Sequence, residues 1–152
     1  MQDAITILDR HRTMAVSTVR PDGWPQTTVV GYANDGITLY FLIYRSSQKL
    51  ANIENDDRIS IAVGGEPRGS DAVEAVYACA HAIQVIEPGE RLQGWLLLQQ
   101  RHPNLVNFDL PDRSQAAMIR AQLDHLTVFD LRKSLVSDGD DLTAAMSGNT
   151  PA

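Results

Sequence analysis

The chain contains 152 residues, 43% of them hydrophobic, with 13 Lys and Arg against 19 Asp and Glu, which gives a formal net charge of −6. This length supports one domain with a buried core and leaves little room for a second. The cations form no basic cluster of the kind that binds nucleic-acid backbones, and no segment approaches the roughly 20 apolar residues of a membrane span. We therefore expect a cytoplasmic protein that binds neither nucleic acid nor membrane.

The first 44 residues are predicted to form a helix and three antiparallel strands. Asp3 can cap a helix that ends near Arg12. The residues that follow show the patterns of strands, and turn residues separate one strand from the next. The three predicted strands are residues 14–20, 24–33 and 37–44.

The third strand leads into the stretch around which the chain is organised, YFLIYRSSQKLANIENDDRISI at residues 40–61. A polar cluster opens a short helix there, with Ser46 or Ser47 as its cap. Free N–H groups at a helix N-terminus bind anions, and a cation such as Lys49 in the first turn opposes the helix dipole unless an anion is present. Two interpretations stay open: a phosphate site with Arg45 beside it, or a plain cap that contributes about 1 kcal/mol.

The next elements are predicted to be two strands and a helix. The strands are residues 58–63 and a long, bent strand at 72–86, with a Gly-rich loop between them. Pro88 is acceptable at the first position of a helix that stops before Pro103. The apolar face of that helix is predicted to consist of Leu92, Trp95, Leu96 and Leu98.

The end of the chain is predicted to hold a short helix, a last strand and a tail. Ser114 is expected to cap the helix at residues 115–123, and residues 125–131 should form the strand. Residues 136–152 offer little to bury, so we expect a loosely packed or disordered tail, and residues 1–135 should form one domain.

Together these elements predict a mainly β fold, a six-stranded antiparallel β-barrel with short capping helices. Closing a sheet into a barrel removes exposed strand edges. It does so without a helical layer on each face of the sheet. The helices are therefore expected at the ends of the barrel and between its strands.

Sequence motifs for metal, disulfide or nucleophile chemistry are absent. The four histidines lie far apart, with no Cys or His at ligand spacing, so we predict no metal site. A serine nucleophile would require a GxSxG motif, which is missing, and no catalytic residue is assigned. The single cysteine, Cys79, cannot form an internal disulfide and is expected to be a small buried side chain, in agreement with a reducing compartment.

The remaining polar features suggest a bound ligand. Gln26, Thr27 and Thr28 lie on the strand that precedes the apolar third strand. A phosphorylated planar molecule could place its phosphate on the SSQK turn and its ring along the barrel wall. If such a ligand is itself reactive, the protein's task is to bind and orient it, which would explain an enzyme without evident catalytic residues.

Two stretches, AVSTVRPDGWPQTTVV and DGITLYFLIYRSSQKLANIENDDRISIAV, resemble the pyridoxamine 5′-phosphate oxidase-like proteins, which are flavin-binding split barrels. The likeness runs from about Thr13 to Val63 and more loosely to Leu131. Its most specific part is the Ser-x-Lys turn followed by NIEND. The resemblance implies a split β-barrel, a homodimer with two FMN sites where the barrels meet, and a small-molecule substrate.

The resemblance also implies which residues contact FMN. Ser47 and Lys49 match the phosphate ligands, and two residues of the second strand match those that run beneath the flavin. The family often has Arg at the position of Gln48, which leaves two alternatives: Arg45 supplies the missing charge, or the phosphate is bound more weakly. The full set of matching positions is Thr28, Val29, Leu42, Ile43, Arg45, Ser47, Gln48 and Lys49.

The activity that the resemblance implies is that of an FMN-dependent oxidoreductase. True pyridoxamine 5′-phosphate oxidases end in a basic, Trp-containing segment, whereas this chain ends in LRKSLVSDGDDLTAAMSGNTPA, so we do not expect it to make pyridoxal phosphate. Two alternatives stay open. One is a flavin- or haem-binding carrier or stress protein without turnover, and the other is a deazaflavin-dependent reductase, which Gln48 favours slightly.

Overall fold

The computed structural model describes residues 1–66, 73–103 and 114–131, which form three helices and seven strands. The predicted tail at 136–152 lies outside these ranges. The helices are α1 (Gln2–Arg10), α2 (Gln48–Asn55) and α3 (Pro88–Arg101). The strands are β1 (Thr13–Val19), β2 (Pro25–Gly31), β3 (Ala33–Asp35), β4 (Thr38–Tyr44), β5 (Arg58–Gly64), β6 (Glu74–Gln84) and β7 (Ala116–Asp130).

All the strands belong to one antiparallel sheet in the order β2-β1-β5-β6-β7-β4-β3. The sheet curls, and alternate side chains of its long strands enclose the main core. Helices α1 and α2 complete this core. Its buried side chains include Leu8, Val16, Phe41, Ile53, Ile61, Val76 and Ile119. The mainly β fold predicted from the sequence is confirmed, with seven strands in place of six.

The seventh strand arises at Tyr32, where the chain leaves β2 and enters the short β3. The Tyr32 ring is fully buried, and its hydroxyl donates to the carbonyl oxygen of Leu8 at 2.6 Å. Its backbone N–H donates to the carbonyl oxygen of Arg12 at 3.0 Å. From there β3 pairs with β4 and not with β1, so the predicted strand 24–33 is divided into two.

The helix predicted at 115–123 is wrong, because the residues of Ala116–Asp130 form one long strand. This strand lies between β6 and β4 and pairs with both. Ala116, Ala117, Met118 and Ile119 are all buried, since one face meets the core and the other meets α3. Burial on both faces removes the alternation of a half-exposed strand and leaves an apolar run that resembles a helix.

Helix α3 packs on the outside of the sheet, where a second apolar cluster contains Ala33, Tyr40, Val85, Leu98 and Met118. The helix faces the sheet through Gly94 and Leu98, its buried residues. Leu92 and Leu96, which were predicted to face inward, are instead each 55% exposed. None of the helices within the described ranges is long and apolar enough to cross a membrane.

The close approach of α3 predicts that Gly94→Ala destabilises the protein. A Cβ at this position would lie 2.6 Å from Met118 Sδ and 3.0 Å from Tyr40 Cδ1. Overpacking should cost about 1–3 kcal/mol, and the better helix propensity of Ala offsets about 1 kcal/mol of this, so we expect a net loss of up to about 2 kcal/mol in urea unfolding. The exposed Gln99→Ala in the same helix is the control; increased stability of Gly94→Ala would contradict the prediction.

Candidate functional site

The candidate site is built around the start of α2, which follows β4 after a tight turn. The Ser47 N–H donates to the carbonyl oxygen of Tyr44 at 2.9 Å. The Ser47 Oγ accepts a hydrogen bond from the Lys49 N–H at 3.1 Å, so Ser47 is the N-cap of the helix. Leu50 and Ile53 anchor the other side of α2 in the core. The turn and helix are therefore fixed by local bonds and by burial.

A buried amide joins α2 to the first two strands. Asn52 is completely inaccessible to solvent. Its Nδ2 donates to Thr18 Oγ1 at 2.9 Å and to Gln26 Oε1 at 3.0 Å. Its Oδ1 accepts a hydrogen bond from Gln48 Nε2 at 2.9 Å. These three bonds compensate the desolvation of the amide and fix the position of α2 against β1 and β2.

Lys49 lies in the first turn of α2, is partly buried, and forms no ion pair with any residue in the described part of the chain. Burial lowers the pKa of its ammonium group, since desolvation disfavours the charged form. The first turn contains no acidic residue. A cation at the positive end of a helix dipole, without a counter-charge, is an unfavourable arrangement that an anion would relieve.

Thr28 presents an unsatisfied polar atom on the adjacent strand. Its Oγ1 is inaccessible to solvent and has no hydrogen-bond partner within residues 1–66, 73–103 and 114–131. Side chains two residues apart on a strand share one face at a spacing of about 7 Å. Thr28 is therefore a neighbour of Gln26, which bonds to Asn52 of α2. A buried hydroxyl without a partner costs about 1–3 kcal/mol, and a ligand with a polar edge would remove that penalty.

The other residues that the resemblance matched to FMN contacts point in different directions. The Arg45 Nε donates to the carbonyl oxygen of Ser114 at 3.0 Å. Ile43 is 4% exposed and belongs to the core, whereas Leu42 faces α3 on the opposite side of β4. Val29 is 71% exposed on the outer face of β2. Their contacts with a cofactor, and those of Gln48, stay predictions.

The structure places Ser47, Gln48 and Lys49 at the start of α2, and it places Thr28 two residues along β2 from Gln26, which bonds to α2. A residue that the sequence analysis did not single out makes this connection. That residue is Asn52. A polar side chain placed between the buried Leu50 and Ile53 on a short helix is the signal that could have revealed it.

The outer face of the sheet carries further titratable groups. His81 Nδ1 lies 2.9 Å from Asp57 Oδ1, and this hydrogen bond raises the pKa of the imidazole. Cys79 is exposed on the same face, so the prediction that it is buried is wrong. His81 and Cys79 border a depression of about 740 Å³. Within residues 1–66, 73–103 and 114–131, no three His, Cys, Asp or Glu side chains are grouped to hold a metal ion.

Comparisons with known proteins agree with this architecture. The sequence model of the family described as pyridoxamine 5′-phosphate oxidase matches residues 2–127. A conserved hypothetical protein from Mycobacterium tuberculosis is 21% identical, with a TM-score of 0.73 over 90% of this chain and 88% of that one. A FAD-binding protein from Mesorhizobium loti is 16% identical (TM-score 0.69; 85% and 93% covered). The haem storage protein HutZ from Vibrio cholerae is 17% identical (TM-score 0.68; 84% and 92% covered).

No curated protein matches the chain. At these low identities the solved structures show a shared fold, and the ligands for which they are named belong to those proteins alone. The family model matches most of the sequence. Residues 2–127 extend from α1 into β7 and include the whole turn into α2. The chain belongs to the pyridoxamine 5′-phosphate oxidase-like split-barrel family.

Proposed function

We propose that this chain is an FMN-dependent oxidoreductase that holds the FMN phosphate at the start of α2 and acts on a small molecule. The observation that carries the proposal is Lys49, a partly buried ammonium without a counter-charge in the described ranges, at the N-terminus of a helix. A phosphate monoester carries about −1.5 to −2 charges at neutral pH, which suits both the ammonium and the helix dipole.

Thr28 supports the same ligand from the neighbouring strand. Its hydroxyl can donate one hydrogen bond and accept others, and it has no partner in the part of the chain that the structure describes. A flavin ring carries carbonyl and N–H groups along one edge. The hydroxyl of Thr28 would pair with that edge, while Lys49 pairs with the phosphate.

The residues of this chain bind and orient the cofactor in this proposal. FMN, when bound, supplies the redox chemistry. Ser47 keeps α2 capped, and the hydrogen bonds of Asn52 hold α2 against β1 and β2. Lys49 and Thr28 are thereby kept at a fixed separation, which lowers the entropic cost of binding.

The second candidate function is that of a haem carrier. The feature that favours it is a depression with two histidines on the outer face of the sheet. His81 and His125 line the depression of about 740 Å³, and histidine is a common ligand of haem iron. HutZ, one of the structural neighbours, is described as a haem storage protein. Absorption spectra of the purified protein, and the mass of any cofactor released by heating, distinguish haem, FMN and a deazaflavin.

We also propose that the protein is a homodimer, joined through the outer face of β2, β1, β5 and β6. One row across these strands contains Val29, Ala15, Ala62 and Tyr77, which are opposite one another in register. The two outer members are 71% and 48% exposed, and small residues lie between them. Such a flat apolar strip is typical of a surface that meets a second copy.

Val29→Glu should therefore convert a dimer into a monomer. A carboxylate in a desolvated interface is unfavourable, and sedimentation equilibrium should show a mass near 16.7 kDa in place of twice that value. Gln99→Glu, on the exposed side of α3, should leave the dimer intact. A monomeric wild-type protein at about 50 μM would refute the dimer, since stable homodimers associate well below that concentration.

Lys49→Gln should weaken binding of FMN about 10- to 100-fold and change the affinity for riboflavin less than about 2-fold. The reason is that a charge-assisted hydrogen bond to phosphate contributes about 1.5–3 kcal/mol, and riboflavin has no phosphate. Flavin fluorescence quenching measures both affinities. Arg12→Gln is the control for a general change in charge. Equal losses of affinity for FMN and riboflavin in Lys49→Gln would show that Lys49 does not bind the phosphate.

Thr28→Val should separate ligand binding from stability. Valine has nearly the same shape, and no described residue of the free protein bonds to the hydroxyl, so the free energy of unfolding should stay the same or increase. Flavin affinity should fall about 5- to 10-fold, the value of one hydrogen bond.

The matched control is Thr27→Val, one residue earlier on the opposite face of β2. The Thr27 Oγ1 bonds to Ser17 Oγ at 2.7 Å on that face, so this variant should leave flavin affinity unchanged. If Thr28→Val binds flavin as the wild type does, Thr28 does not contact the cofactor.

A further inference from the structure

A second cavity, of about 330 Å³, lies between α3 and the outer face of β4 and β7. It is separate from the surroundings of Lys49 and Thr28, which do not line it. Most of its wall is apolar, and Arg91 is the one charged residue among the described residues that border it. The apolar part of the wall includes Leu42, Ile86, Leu92, Trp95 and Met118.

The guanidinium group of Arg91 is partly buried and has no hydrogen bond or ion pair with the rest of the described chain. A Glu four residues earlier on a helix is the usual partner of an Arg. Here Glu87 is the N-cap of α3, and its two oxygens accept backbone N–H groups at 2.9 and 2.6 Å. Glu90 accepts from Tyr40 at 3.2 Å and from Arg120 at 2.6 Å. Both nearby carboxylates are therefore already engaged.

The wall of this cavity is unfavourable without an occupant. Ile86 is 78% exposed and Leu92 is 55% exposed, so apolar side chains face solvent at the mouth. Arg91 also lies near the N-terminus of α3, where a positive charge opposes the helix dipole. A ligand with an anionic group and an apolar body would relieve both conditions at once.

We propose that this cavity binds a small monocarboxylic acid with an apolar body. The carboxylate pairs with Arg91, and the hydrocarbon or aromatic part lies against Leu42, Trp95 and Met118. One guanidinium balances one negative charge, and its two parallel N–H groups match the two oxygens of a carboxylate. No lysine or hydroxyl group is among the described residues that line the cavity, so a phosphate dianion would keep an uncompensated charge there.

The size of the cavity agrees with this ligand class. Ligand pockets begin at about 300 Å³, and a volume near that limit suits an acid of about ten heavy atoms. The site goes beyond the proposed FMN function and does not depend on it. Leu42 lines this cavity and is also a predicted FMN contact, but the proposal here depends on Arg91, whereas the FMN proposal depends on Lys49 and Thr28. Failure at one site therefore leaves the other untouched.

The test compares octanoate with octan-1-ol, its neutral analogue, by isothermal titration calorimetry on the full chain. Octanoate should bind the wild-type protein at least about tenfold more tightly, since only the acid can pair with the guanidinium. Arg91→Gln should lose about tenfold in octanoate affinity and keep the octan-1-ol affinity within about twofold. Arg12→Gln, which removes an exposed cation elsewhere, should bind both as the wild type does.

Two results would overturn the proposal. One is a wild-type protein that does not distinguish the acid from the alcohol, or that binds no octanoate at about 10 mM, well above the dissociation constant of a specific site. The other is Arg91→Gln that keeps the wild-type octanoate affinity. The comparison of octanoate with octan-1-ol on the wild-type protein tests the proposal even if Arg91→Gln does not fold. The FMN affinity of Arg91→Gln should equal that of the wild type, which distinguishes this site from the one at Lys49.

Discussion

The structure depends on one buried amide, the side chain of Asn52. It connects a short helix to two strands that are far from it in sequence, through Thr18 and Gln26. An amide that is fully removed from water must have its hydrogen bonds satisfied, so only one placement of α2 against the sheet is favourable. The positions of Ser47 and Lys49 follow from that placement. A phosphate site at the start of α2 therefore inherits its geometry from a residue that would not touch the phosphate.

The two faces of the curled sheet contact different parts of the molecule. Alternation along the strands directs Thr28 and Ile43 inward, and it directs Val29 and Leu42 outward. The inner face supplies the core and the surroundings of α2. The outer face receives α3 at one side and presents an exposed apolar strip at the other. The family resemblance matched adjacent residues to one cofactor, but side chains of adjacent strand residues point to opposite faces.

Two cations that have no counter-charge among the described residues mark the sites proposed for ligands. Lys49 and Arg91 both lie within the first turns of helices, in a chain whose net charge is −6. In each case the residue that caps the helix is engaged with backbone N–H groups, Ser47 in α2 and Glu87 in α3. Residues 1–66, 73–103 and 114–131 provide no carboxylate partner for either cation, which keeps both available for anionic ligands.

The sequence by itself determined the strands with regular patterns, the turns between them and the short helix after SSQK. It also predicted the long strand that the structure shows as Glu74–Gln84. The periodicity of apolar residues indicates which side of an element is buried, and a turn motif depends only on adjacent residues. Both can therefore be recognised without knowing which elements pack against each other.

Only the tertiary structure decided the features that depend on a partner. The run after Ser114 became a strand because β4 and β6 lie on either side of it. Leu92 and Leu96 remained exposed because α3 approaches the sheet through Gly94. That the Thr28 hydroxyl has no partner among the described residues could not be predicted from the sequence. Whether a buried hydroxyl is satisfied depends on all the polar groups around it, and the fold brings those groups together from distant parts of the chain.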